Sequence, residues 1–122
     1  MIPFSDMVNR WQSNSQVPIF VGTAPEGTHP PYASLNLVQS NPVNLSGNAR
    51  IWNESLIQIA AVTDTLADSE TLAESISQVF DLKTFGAVVD MGLLNRSTNY
   101  SDQPGLTGNR TWMTILEFRI RH

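Results

Sequence analysis

The chain has 122 residues, a net charge of −4 at pH 7, no cysteine and a hydrophobic content of 41%. This length fits a single domain over residues 1–122, with enough apolar side chains for a core. The lack of cysteine excludes disulfides and thiolate chemistry, and the negative charge argues against a nucleic-acid clamp. No apolar run approaches the roughly 20 residues of a membrane span, so we expect no membrane partner.

The N-terminal third predicts one short helix followed by two strands. Phe4, Val8 and Trp11 recur at helical spacing, which places them on one face of a helix. Residues 17–21 predict a first strand, and residues 32–38 alternate apolar with polar side chains, as a half-buried strand does.

Residues 39–49 consist almost entirely of turn-forming residues, so we expect a projecting hairpin tip there. Its length exceeds what a tight hairpin requires. Val43 and Leu45 would then be exposed apolar residues at the tip, and we expect them to contact another molecule.

The centre of the chain predicts the core element, a strand over residues 55–62 and an amphipathic helix over residues 68–81. The helix carries one apolar stripe, which comprises Leu72, Ile76, Val79 and Phe80. The strand is apolar on both faces and therefore needs cover on both sides. The long helix covers one face, and the second face requires either the N-terminal helix or another molecule.

The C-terminal part predicts a strand at residues 85–94, a polar loop at 95–109 and a final alternating strand at 111–121. The element order is therefore α-β-β-β-α-β-β. Strands that occur in runs indicate an α+β fold, here a mainly antiparallel sheet packed by one long helix.

Few residues point to chemistry. The chain has two histidines, His29 and His122, and neither lies at a metal-ligand spacing. Acidic side chains gather at the start and on the polar face of the long helix, where solvation and the helix dipole favour them. We expect no enzyme activity, no cofactor and no metal; a small ligand-binding module is the less favoured alternative.

Charge is segregated along the chain. Glu70 and Glu74 belong to an acidic central stretch, whereas Arg96, Arg119 and Arg121 follow it. One interpretation is a solvated helix beside a solvated strand. The other is a dipolar subunit in which these five residues form the interface, the acidic side of one copy meeting the basic side of the next. Such a heterologous contact makes a ring if the rotation closes.

Four stretches carry a resemblance to a known family. Residues 32–38, 54–62, 67–76 and 116–120 are similar to the tail-terminator (tail-completion) proteins of long-tailed bacteriophages, and the likeness in element order covers nearly the whole chain. The family has no catalytic motif, and nothing in 39–49 or 95–109 can be aligned with it.

The resemblance implies a homohexameric ring at the head-proximal end of the tail tube, assembled in the host cytoplasm and retained in the neck region of the virion. Its partners would be the tail tube protein and a neck or connector protein, and DNA would pass through the channel without specific binding. Asp68, Glu70 and Glu74 are candidate channel-lining residues, although the outside of the ring suits them equally. The alternative within the same class is another head–tail joining protein, such as a neck or stopper component.

Overall fold

Two helices and one five-stranded sheet make up the computed structural model, which describes residues 2–25, 27–45, 49–100 and 111–122. Within these ranges, the side chains of 41–45 and 49–52 are not described. The elements are α1 (Phe4–Asn14), β1 (Ile19–Val21), β2 (Tyr32–Leu45), β3 (Ala49–Thr63), α2 (Leu66–Phe80), β4 (Asp90–Tyr100) and β5 (Trp112–Arg121). The predicted α+β class and element order are confirmed.

The strands lie in the order β1-β2-β3-β5-β4. All neighbouring pairs are antiparallel except β1 and β2, which are parallel. Helix α2 connects β3 to β4, and β5 returns to occupy the position between them. The β2–β3 hairpin turns beyond the Glu54–Arg121 end of the sheet, whereas β4 and β5 are joined beyond the Thr63–Trp112 end. The two hairpins therefore point in opposite directions.

The side chain of Thr65 caps the N-terminus of helix α2. The Thr65 hydroxyl accepts a hydrogen bond from the Asp68 backbone N–H at 3.1 Å, which satisfies one of the free donors of the first turn. The sequence predicted a start at about Asp68, with Thr65, Asp68 or Ser69 as the cap; Thr65 is the cap, and the helix therefore begins at Leu66. The predicted stripe is confirmed, since Leu72, Ile76 and Phe80 are buried.

Helix α1 lies on the same face of the sheet as α2. The Trp11 ring stacks on Phe80 with a centroid distance of 6.2 Å, and its indole nitrogen donates to the Val17 carbonyl at 2.8 Å. Met7 is fully buried beside Trp11, whereas Val8 is only half-buried. The buried face of α1 therefore contains Phe4, Met7 and Trp11, and Val8 of the predicted face lies at its margin.

The sheet has one covered face and one open face. Ile57, Ile59 and Ala61 on β3 point towards the helices and are fully buried. Leu56 and Ala60 point the other way and are half-buried. The N-terminal helix does not cover this second face because it packs beside α2. Among the described residues, both helices form one layer on the covered face, and no helix packs on the open face.

The predicted boundaries of three segments were wrong. Residues 39–45 and 49 belong to β2 and β3, because cross-strand pairing continues through residues that alone would favour a turn. Residues 95–100 belong to β4 rather than to a loop, and the predicted strand at 85–94 contributes only its last five residues. Exposed edge positions can be polar on both faces, so β4 shows no alternation. The remainder of the predicted loop, 101–109, lies outside the described residues.

The aromatic contacts of Phe80 generate the first prediction. Its ring meets Trp11, Phe85 and Phe118 at centroid distances of 6.2, 5.9 and 6.4 Å. Phe80→Ala removes these contacts and leaves a cavity between helix and sheet, so we expect the free energy of unfolding to fall by about 3–5 kcal/mol. Urea denaturation measures the change, with Gln78→Ala on the exposed face of α2 as the control. A loss below about 1 kcal/mol for Phe80→Ala would contradict this packing.

Candidate assembly surface

The solvent face of α2 presents a row of carboxylates. Asp68, Glu70 and Glu74, the predicted channel-lining residues, are all exposed. Asp68 lies in the first turn, where its negative charge interacts favourably with the helix dipole. These three residues make up the acidic surface of α2: Asp68 lies on the side towards α1, and Glu70 and Glu74 lie on the side towards β4.

Arg96 on β4 reaches across to this acidic surface within the same chain. Its Nη1 lies 3.4 Å from Glu74 Oε2, and its Nη2 donates to the Glu70 carbonyl oxygen at 3.4 Å. Three of the predicted interface residues are thus brought together. Both ionised groups are partly exposed to water, so this pair adds little to stability and mainly orients the side chains.

Arg119 and Arg121 lie on the open face of the sheet, on the opposite side from the acidic helix. Arg119 pairs with Glu54 at 3.4 Å, and Arg121 pairs with Asp90 at 3.2 Å. Each predicted interface cation therefore has an acidic partner in its own chain. Their contact with the acidic helix of a neighbouring copy stays a prediction.

Val43 and Leu45 occur in β2, but their side chains lie outside the described residues. Their backbone pairs with β3 beyond the point where β5 ends, because Glu54 is the last β3 residue in the β5 ladder and Asn53 bonds to His122. This part of the hairpin, which we call the arm (residues 41–45 and 49–53), therefore extends past the body of the sheet. The prediction that Val43 and Leu45 contact another molecule is untested.

The open face also presents apolar side chains that were not predicted from the sequence. Met113 and Ile115 occupy outward positions of β5 and are half-buried, next to Val62 and Ala60 of β3. The sequence does indicate them, because residues 113 and 115 alternate in step with Glu117, which faces outward, and both are apolar. These four residues form an apolar band on the open face, and Leu56 lies beyond the intervening Gln58–Glu117 pair.

A buried hydroxyl cluster fastens the start of α2 to the sheet. Ser69 Oγ lies 2.8 Å from Thr114 Oγ1 and donates to the Ala61 carbonyl at 3.4 Å, and Thr98 Oγ1 lies 3.1 Å from Thr114 Oγ1. Ser69 and Thr114 are fully buried, so these bonds satisfy groups that would otherwise be costly to desolvate. The cluster fixes the position of the helix, and sequence spacing gave no signal for it.

His122 forms contacts within its own chain that the sequence did not predict. Its Nε2 lies 2.9 Å from the hydroxyl of buried Ser55, which in turn donates to Ser40 Oγ at 3.0 Å. The His122 backbone exchanges two hydrogen bonds with Asn53, at 2.8 and 2.9 Å. These contacts join the end of β5 to the base of the arm.

A surface cleft lies between the end of α1 and the start of α2. Its lining includes Ser15, Asp64, Asp68 and Thr71. Within residues 2–25, 27–45, 49–100 and 111–122, no three side chains form a group able to hold a metal ion. In the same ranges, no helix has the length and apolar character needed to cross a bilayer.

Comparison with solved structures shows a likeness of fold. No protein-family model and no curated protein sequence matches this chain. The fold is similar to that of a chain in the solved structure of the virion of a native gene transfer agent particle, with a TM-score of 0.66 and 12% sequence identity. The similarity covers 97% of this chain and 93% of that chain, so the two share the whole fold.

Mutations can distinguish the ion pair between Arg119 and Glu54 within one chain from a contact between Arg119 and α2 of a neighbouring copy. Arg119→Glu should lower the free energy of unfolding by less than about 1 kcal/mol, because the pair is partly exposed, and Glu54→Lys should restore it. Glu70→Lys, on the other side of the molecule, is the control and should give no coupling in urea denaturation. If Glu70→Lys instead restores ring assembly to the Arg119→Glu variant in sedimentation velocity, the contact between copies is supported; purely additive effects on assembly discard it.

Proposed function

We propose that this chain is a structural protein of a tailed virion, and that it forms a hexameric ring at the head-proximal end of the tail tube. There it stops polymerisation of the tube and joins the tail to the neck. The observation that carries the proposal is the fold shared, over nearly the full length of both chains, with a chain of a gene transfer agent virion. The resemblance of residues 32–38, 54–62, 67–76 and 116–120 to tail-terminator proteins selects this role within the virion.

The surface supports an assembled subunit. An apolar band lies on the open face of the sheet, and large apolar side chains such as Leu82 and Leu94 are exposed. Apolar surface of this kind is stabilised by contact with other protein molecules. On this proposal the chain acts by packing and carries out no chemical reaction.

The opposed hairpins suit a subunit that meets different partners at its two ends. The arm extends from one end of the sheet, and the β4–β5 connection leaves from the other. We assign one end to the tail tube protein and the other to the neck or connector protein. Val43 and Leu45 on the arm would then be contact residues for one of these partners.

The role is tested by removing the gene from the virus or particle that encodes it. We expect overlong tails by electron microscopy, together with filled heads that lack tails, because nothing would stop the tube or present it to the neck. Expression of the intact chain in trans is the control and should restore both tail length and joining. Tails of normal length with leaking filled heads would instead indicate a neck or stopper protein, and normal virions would overturn the proposal.

We assign the channel lining to the acidic surface of α2, with Asp68, Glu70 and Glu74 facing DNA. Like charge keeps DNA phosphates from adhering, which favours fast passage through the ring. Asp68→Lys with Glu70→Lys should therefore slow DNA ejection, measured by dye fluorescence on particles with intact tails. Glu117→Lys on the open face is the control, since it adds positive charge on the other side of the sheet, and Glu70→Lys alone matches it in charge change. If only the control slows ejection, the open face lines the channel and α2 lies outside.

A further inference from the structure

The exposed large apolar side chains concentrate at the two edges of the sheet. Within the described residues, eight are exposed, from 40% at Leu66 to 85% at Leu82. Seven of them lie on or beside edge strands: Val21, Leu37 and Val38 at the β1–β2 edge, and Leu82, Val89, Leu94 and Tyr100 at the β4 edge. Leu82 also adopts a left-handed conformation with φ of 59°, which is uncommon for a leucine. Apolar exposure therefore marks these edges rather than the surface in general.

Each edge leaves part of its backbone without a neighbouring strand. β1 covers β2 only at Ala33–Leu35, so from residue 36 onward the outer edge of β2 meets no described strand. At the other edge, Leu82 N donates to Met91 O at 2.8 Å and Leu93 N donates to the Asp81 carboxylate at 2.9 Å. Residues 94–100 of β4 follow these bonds and are all exposed. Main-chain N–H and C=O groups on such edges accept an added strand.

The two open edges match each other in direction. β2 and β4 are antiparallel, because three antiparallel pairings separate them. If a second copy is placed beside the first with its helices on the same side, its β4 runs antiparallel to β2 of the first copy. The geometry is that of an ordinary antiparallel ladder.

The open segments also differ in level across the sheet. Asn36, Gln58, Glu117 and Asn95 form one row through the four strands. The open part of β2 extends from this row towards the arm, whereas the open part of β4 extends in the opposite direction. For the open segment of β4 to lie beside the open segment of β2 in the next copy, the two copies must be shifted along the strand direction by about 15 Å. The sheet of one copy is roughly 19 Å wide, so this shift corresponds to a strand tilt of about 40°. Closed barrels have tilts of about 35–45°.

We propose that β4 of one copy pairs with β2 of the next, at residues 95–100 and 36–40, so that the sheet continues from copy to copy. This inference rests on the proposed function, because it supplies the contact that builds the ring. The partner is a second copy of this chain, since one edge complements the other. Because the two edges differ, the contact is heterologous and propagates around a closed ring.

Both edges carry features that limit wrong pairing. β2 has a bulge between Leu37 and Gln39, and β4 has one between Leu93 and Asn95. Bulges disrupt the ladder locally and protect an edge from indiscriminate strand addition, and the strand added at residues 36–40 must accommodate the extra residue Val38. Because β1 ends at Val21 and shares the outer edge of β2, it limits how far the added strand can extend, and it places the neighbouring copy's Tyr100 near Val21.

The chain has no cysteine, so disulfide crosslinking tests the pairing without background. Gln39 and Ser97 lie on the open face of the sheet, whereas Thr98 lies on the helix face. In a continuous sheet only side chains on the same face approach closely enough for a disulfide. Gln39→Cys combined with Ser97→Cys is therefore the test variant, and Gln39→Cys with Thr98→Cys is the matched control. Variants with the second cysteine at residue 95 or 99 instead of 97 test strand registers shifted by two residues in either direction.

We expect oxidation of the assembled protein to give a ladder of covalent oligomers from at least one same-face pair, at least about tenfold stronger than from the opposite-face control. Single variants should give no ladder. Dimers from Ser97→Cys alone would show β4 paired with β4, and equal crosslinking of both faces would show unspecific contact; each result overturns the inference. A ring that assembles on tails without any such crosslink overturns edge pairing but leaves the proposed function intact. A chain that never assembles with tails overturns both.

Discussion

The packing of both helices against one face of the sheet determines the rest of the structure. Trp11 stacks on Phe80, and this pair, together with Phe118, fills the space between the helices and the sheet. Because α1 is held beside α2, it is not available to cover the opposite face. The apolar band on that face is left uncovered by this single-sided arrangement, whereas the open edges follow from the strand order and the short β1. Both are surfaces on which assembly is proposed.

The sequence predicted the elements that obey a clear period. The α2 stripe and the buried positions of β3 and β5 are set by burial on one face, and burial leaves a regular apolar pattern. The sequence did not predict the outer half of β4 or the ends of β2 and β3. Those residues are held by backbone pairing with a neighbouring strand, which requires no particular side chain, so polar and turn-forming residues such as Asn44 and Ser97 conceal the strand.

The candidate assembly surface was only partly accessible from the sequence. Acidic and basic residues were identified correctly as separate groups along the chain, but their partners depend on topology. Arg96 faces α2 because β4 lies at the sheet edge beside that helix, whereas Arg119 faces the opposite side because it alternates with buried Phe118. The spacing of these arginines along the sequence does not indicate which side of the sheet each one faces. The edge strands, which carry the further inference, became visible only once the strand order was known.

The length of β3 has a mechanical consequence. Its 15 residues run without interruption from the arm into the centre of the sheet, where β2 and β5 flank it. A force applied to the arm along its axis would pull β2 and β3 together and would shear the ladder between β3 and β5. Many hydrogen bonds would then have to break together rather than one after another. If the chain joins a tail to a head as proposed, a subunit built this way would transmit the load of a packed genome without unravelling.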